Sequence, residues 1–210
     1  MAHGSIRLIV AVAAVLSGCS SAPVVRYHTL MPGDVPSRSA ASSSSSSSIA
    51  IAIVLEPVRV PAQVDQPQWL VRLGDGTMAI LERDRWASGL GDEFRQALRE
   101  QLIAGHGAIE ARPGAGSGPI RVGVDVRRFE SIVSRDARTE GTWTLVGSEA
   151  SGARVFRCEW FIRESAEAGT MSLAAAHRRA VARLGDAIAE ALLKFSRNEA
   201  PSCPARDAST

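Results

Sequence analysis

Ile120-Arg121-Val122-Gly123-Val124-Asp125-Val126 places an apolar side chain at every second position, the period of a β-strand that buries one face and shows the other to water. Phe129 arrives out of step, and one extra residue at Arg127-Arg128, a β-bulge, accounts for the slip. Further along, Gly141, Trp143 and Leu145 continue a strand, Gly147 to Gly152 turns the chain, and Phe156, Cys158, Trp160 and Ile162 line one face of the next strand. The three strands read as an antiparallel meander with one apolar face.

An apolar sheet face needs a cover, and two amphipathic segments supply it. Val181, Leu184, Ile188, Leu192 and Phe195 recur with the helical period, and Glu190 and Lys194 stand in the favourable i, i+4 orientation. Asp92 to Ala104 carries Phe94, Leu98 and Leu102 on one face, acidic residues in its first turn, and Gly105 and Gly107 after its last. Upstream, Ile49, Ile51, Ile53 and Leu55 alternate with Ala50, Ala52, Val54 and Glu56, a strand apolar on one face and nearly so on the other. Pro57-Val58-Arg59-Val60-Pro61 leads to a strand at Gln68 to Leu73, and Gly74-Asp75-Gly76 turns it into a hairpin with Thr77 to Glu82. The expected fold is therefore α+β, a largely antiparallel sheet covered by two helices in the order β-β-β-α-β-β-β-α.

With 210 residues, 45% apolar and 22% charged, the chain has the composition of an ordinary globular protein, which excludes collagen, coiled coil and wholesale disorder. The net charge of +2 is too balanced for a nucleic-acid footprint, and no basic cluster is interleaved with aromatic residues. Nucleic acid is not an expected partner. No apolar run reaches the roughly 18 residues of a membrane-spanning helix.

The amino terminus sets the compartment. His3 and Arg7 precede the nine-residue apolar stretch Leu8 to Leu16, and Leu16-Ser17-Gly18-Cys19 follows directly, the layout of a signal peptide that ends on a cysteine. The tetrad resembles the lipobox of bacterial lipoproteins, which implies acylation of Cys19, and Ser20 in place of an aspartate resembles the outer-membrane sorting pattern. The expected layout is a signal peptide at 1–18, a lipidated amino terminus and Ser-rich tether at 19–48, one domain at 49–196, and a flexible tail at 197–210. Met31 to Ser48, with an unbroken serine run from Ser42, cannot bury enough apolar area to order itself and would span about 25 Å as coil. Val24 to Leu30 has strand-like composition and could dock on the body, pinning the tether near its start.

Catalytic chemistry finds little support. His28, His106 and His177 have no Cys, Asp or Glu at zinc-ligand spacing and read as surface or loop residues. No G-x-S-x-G elbow occurs, and Gly114 to Gly118 imitates a phosphate cradle in composition only. Asp84, Asp92 and Glu93 could mimic a carboxylate pair, but first-turn charge complementing the helix dipole is the ordinary reading. Trp69, Trp86, Trp143 and Trp160 read as core anchors. Cys158 is either a small core hydrophobe on its strand or half of a bridge with Cys203, which an oxidising compartment would permit. Neither cysteine has an activating histidine in view. No enzyme, metal or cofactor is expected.

Taken together, the lipobox, Tyr27-His28-Thr29-Leu30, the tether, Pro57-Val58-Arg59-Val60-Pro61, Asp65-Gln66-Pro67-Gln68-Trp69-Leu70-Val71-Arg72 and Arg85-Trp86-Ala87-Ser88-Gly89-Leu90 resemble the ABC-type transport auxiliary lipoprotein family, also called PqiC-like, from Cys19 to about Phe195. Two positions depart from the family pattern, Gly89 where a proline is usual and Tyr27-His28 where an aromatic pair is usual. The resemblance implies an outer-membrane lipoprotein that works with an MCE-domain protein and its inner-membrane transport components, moving lipids between membranes. It implies a docking component and, by extension, a homo-oligomer held on outer-membrane lipid by its acyl anchor. Asp65, Gln68 and Arg72, polar positions of the recognisable motif beside the hairpin, are the candidate partner or oligomer contacts. The alternative is a carrier that holds a lipid or another small hydrophobe in a cavity of its own.

Overall fold

The computed structural model describes residues 24–33, 51–111, 118–149 and 152–204. Eight strands form one sheet: β1 (Arg26–His28), β2 (Ala52–Leu55), β3 (Gln68–Arg72), β4 (Met78–Trp86), β5 (Ile109–Glu110), β6 (Ile120–Ile132), β7 (Asp136–Glu149) and β8 (Gly152–Ser165). Helix α1 (Leu90–Glu100) follows β4 and runs on into one π-helical turn, Gln101–Gly105, and α2 (Thr170–Ser196) follows β8.

The long strand β6 organises the sheet. On one edge it pairs antiparallel with β7 from Arg121 to Ile132, with a register shift between Val126 and Arg128, where the slipped alternation requires it. Its other edge is shared by two strands that run parallel to it, β2 at Ile120–Val122 and β3 at Ile132. β7 and β8 complete the meander in unbroken register. The hairpin β3–β4 carries β1 on its far side, parallel to β4, and β5 lies parallel to β2. The sheet is thus mixed, which corrects the expectation of a largely antiparallel one. The chain leaves β2 through a hairpin and a helix before it returns at β6, and a crossover of that length delivers a parallel neighbour. Two short strands, β1 and β5, also join the expected order.

Both periodicities hold. Phe94, Leu98 and Leu102 on the first helix and Val181, Leu184, Ile188, Leu192 and Phe195 on the second are buried, as are Val122, Val124, Val126, Trp143, Leu145, Cys158, Trp160 and Ile162 beneath them. The helices lie side by side on one face, α2 across β7 and β8 and against α1. Close approach decides two glycines. A side chain at Gly141 would run into the Asp125 carbonyl and the Trp160 ring, and one at Gly185 would meet Gln101 where the helices touch. All four tryptophans are core residues.

Candidate functional site

The residues that tie the amino-terminal segment to the body form a continuous polar seam at one edge of the sheet. Arg26, Tyr27 and His28 pair with Asp84, Arg85 and Trp86, so Asp84 sits directly opposite Arg26. Its carboxylate receives Arg26 Nε at 3.0 Å and Nη2 at 2.9 Å, lies 2.7 Å from His28 Nε2, and accepts the Thr170 hydroxyl at 3.0 Å. One buried acid therefore joins β1, β4 and the start of α2. Burial alone would raise the Asp84 carboxyl, but the hydrogen bonds from Arg26, His28 and Thr170 outweigh it and hold the group below the usual carboxylate range.

Glu93, in the first turn of α1, does the same for the next residues of the segment. Its Oε2 accepts the Thr29 hydroxyl at 2.6 Å and the Leu30 amide at 2.9 Å, while Oε1 accepts the Ser88 hydroxyl at 3.0 Å. Arg178 on α2 reaches the Thr29 carbonyl at 3.3 Å. Leu30, at 1% exposure, is driven into the core between the helices. Beside it a cavity of about 310 Å³ is lined chiefly by Leu30, Pro32, Ala97, Val181 and Ala182, with Arg178 among its polar groups.

The histidine expectation is corrected here. His28 and His177 are buried, because their partners come from distant parts of the chain. His177 stacks on Phe129 with centroids 4.0 Å apart, and its Nε2 lies 2.8 Å from Ser131 Oγ, which also accepts the Trp69 indole N–H at 2.8 Å. Ser131 Oγ thus links the Trp69 indole to the His177 ring inside the core. Burial pushes the His177 pKa down to about 3. This Ser–His pair is sealed from solvent on both members, so it braces the core. His106 is exposed and lies 2.8 Å from Asp186. Among the described residues no three His, Cys, Asp or Glu side chains could hold a metal ion.

The three motif residues are not brought together. Asp65 is exposed in the turn before β3, Gln68 opens β3 opposite Arg85, and Arg72 closes β3, roughly 13 Å from Gln68 along the strand. Arg72 donates to Glu130 at 2.9 Å and to the Gly76 carbonyl at 3.1 Å, which fastens the hairpin to β6. Cys158 and Cys203 are joined by a disulfide, which holds the chain beyond α2 against β8. Cys19 lies outside the described residues.

Asp84 and Glu93, read from the sequence as helix-entry charge, are the acids that hold the amino-terminal segment, and Ser131 was missed because nothing near it in the sequence points to His177 or Trp69. A further acidic hub, Asp136, is buried at the start of β7 with Arg138 at 2.8 Å and Arg163 at 2.7 Å. Burial opposes its charge, and those two arginines overcome that and keep the carboxyl low.

Residues 33–189 match the family model described as the ABC-type transport auxiliary lipoprotein component. In fold the chain is similar to a crystal structure of an uncharacterized protein, 18% identical over 80% of this chain and 97% of that one, TM-score 0.62. It is also similar to a Xanthomonas campestris protein, 18% identical over 83% of this chain and 98% of that one, TM-score 0.58. No curated protein matches the chain. Among the described residues no helix is long and apolar enough to cross a membrane.

Proposed function

Because this chain belongs to the ABC-type transport auxiliary lipoprotein family, we propose that it is the outer-membrane-anchored subunit of an MCE-type intermembrane lipid transport system, docking the periplasmic conduit and supporting membrane integrity. The observation that carries the reading is the clamped amino-terminal segment. A protein moored by an acyl chain on Cys19 needs the segment that follows fixed to the body, and Asp84 and Glu93 fix Arg26 to Leu30. An apolar cargo cannot cross water cheaply, at about 25 cal/mol per Å² of exposed hydrocarbon, so a conduit needs an end held at the receiving membrane. The Cys158–Cys203 bridge is the chemistry of an oxidising compartment and supports placement in the cell envelope.

The test is affinity purification of the intact, acylated protein from envelope membranes, with mass measurement of the mature chain. The reading expects an MCE-domain protein in the eluate and an acylated amino terminus beginning at Cys19. A mature chain without acyl mass, or fractionation with the cytosol, overturns it.

The cavity beside Leu30 favours a second reading, a lipoprotein that itself holds a lipid or small hydrophobe. At about 310 Å³ it would take only part of one acyl chain. Stoichiometric lipid in solvent extracts of the purified protein would favour this carrier over the docking role.

A further inference from the structure

The strand β1 joins the sheet before the Ser-rich stretch, so that stretch connects two strands of one sheet, β1 and β2. It does not stand between Cys19 and the body. Five residue steps separate Cys19 from Val24, and fully extended they reach about 18 Å. Clamped as it is, β1 cannot give up more chain without breaking the contacts to Asp84.

The outward side of that corner carries a group of exposed apolar side chains. Arg26 and His28 turn inward to Asp84, which leaves Val25 and Tyr27 on the opposite side of the sheet. Val24 is 80% exposed and Tyr27 66%, and farther along β4 Met78 and Ile80 are exposed while Ala79 and Leu81 pack on the core. Register places Tyr27, Arg85 and Gln68 side by side in one row across β1, β4 and β3, with Ile80 beside Leu70 farther along the hairpin. Arg85 has a buried Nε without a hydrogen-bond partner, and no carboxylate among the described residues pairs with it. Aliphatic side chains, a tyrosine and an unpaired arginine are the set that suits the boundary of a bilayer, where the ring sits among headgroups and the cation meets phosphate.

We propose that this corner of the outer sheet face, built from Val25, Tyr27, Met78, Ile80 and Arg85, rests on the phospholipid surface that carries the anchor. The inference depends on acylation of Cys19, and the short reach from that residue is what selects a lipid surface over a protein partner. The domain then lies against the membrane with the helical layer turned away from it.

The experiment uses the full acylated protein in vesicles of phosphatidylethanolamine and phosphatidylglycerol. Its cysteines are occupied, Cys19 by lipid and Cys158 with Cys203 by their bridge, so single labelling sites are introduced as Tyr27→Cys and Ile80→Cys. Leu193→Cys, exposed on α2 in the helical layer, is the control. An environment-sensitive fluorophore at 27 or 80 is expected to shift to the blue and to be quenched by spin-labelled lipid several-fold more than one at 193. Adding Arg85→Glu should weaken that quenching. Equal exposure of all three labels on a chain whose mass shows acylation overturns the proposal and leaves the anchoring intact. Shielding that scales with protein density rather than lipid points to a second copy and overturns it as well. A chain without acyl mass removes the anchoring reading, and this surface with it.

Discussion

Asp84 and His28 meet at 2.7 Å on neighbouring parallel strands, and both are buried, although 56 residues separate them. The contact joins β1 to the sheet, and Arg26 and Thr170 converge on the same carboxylate.

Replacing Asp84 by alanine should therefore release β1. Removing the buried carboxylate leaves the donors that converge on it unsatisfied, at about 3 kcal/mol. Urea unfolding of D84A should show that loss, and amide exchange at Arg26 to Leu30 should rise by more than exchange in α2.

Acid should act through the same group. The folded carboxyl lies below its ordinary value, so its stabilisation is complete above about pH 4 and is lost as pH falls through the lower, folded value. Asp136 adds to the effect with the same sign. Melting temperatures measured below pH 4 should fall less steeply for D84N than for the parent protein.

His177 predicts a second, milder slope. Its folded pKa of about 3 lies under the ordinary value, so the unfolded chain binds the extra proton first and stability declines as pH drops below 6.5. Between pH 6.5 and 5 the decline attributable to this group is about 2 kcal/mol. Denaturation midpoints across that window should flatten in His177→Gln.

The disulfide closes a loop of 45 residues that contains all of α2. Chain-entropy reasoning assigns such a loop about 4 kcal/mol, so Cys203→Ser, which leaves the core cysteine in place, should cost up to that amount. A reducing agent should lower the parent protein to the level of the variant and leave the variant unmoved.

Gly141→Ala should cost about 1 to 3 kcal/mol, because the added methyl must displace backbone on one side and the Trp160 ring on the other. Loss of near-ultraviolet ellipticity with retained secondary structure would locate the damage in the tryptophan packing.

The meander and both helices were legible because their periods extend over many residues, and each apolar position from Val122 to Ile162 and from Val181 to Phe195 declares its own side. β1 was harder. Three residues carry no period, and nothing near Arg26 announces that its partner is Asp84, 58 positions away. The parallel pairings of β2 and β3 with β6 share that difficulty, since they depend on where a long crossover returns. Spacing rules also misjudged the histidines. They search along the chain, whereas His28 finds Asp84 and His177 finds Ser131 across it. Of the motif residues, Arg72 fastens the hairpin to β6, so its polarity has a structural use already. Gln68 stands beside Arg85 in the outward row.

The parallel union of β1 with β4 also has a mechanical meaning. Any tug transmitted along the chain from its amino-terminal side arrives at Arg26 and is resisted by the Asp84 contacts, before it reaches the residues that follow β1. The fold would feel such a load through its sheet, like a rope made fast at the hull.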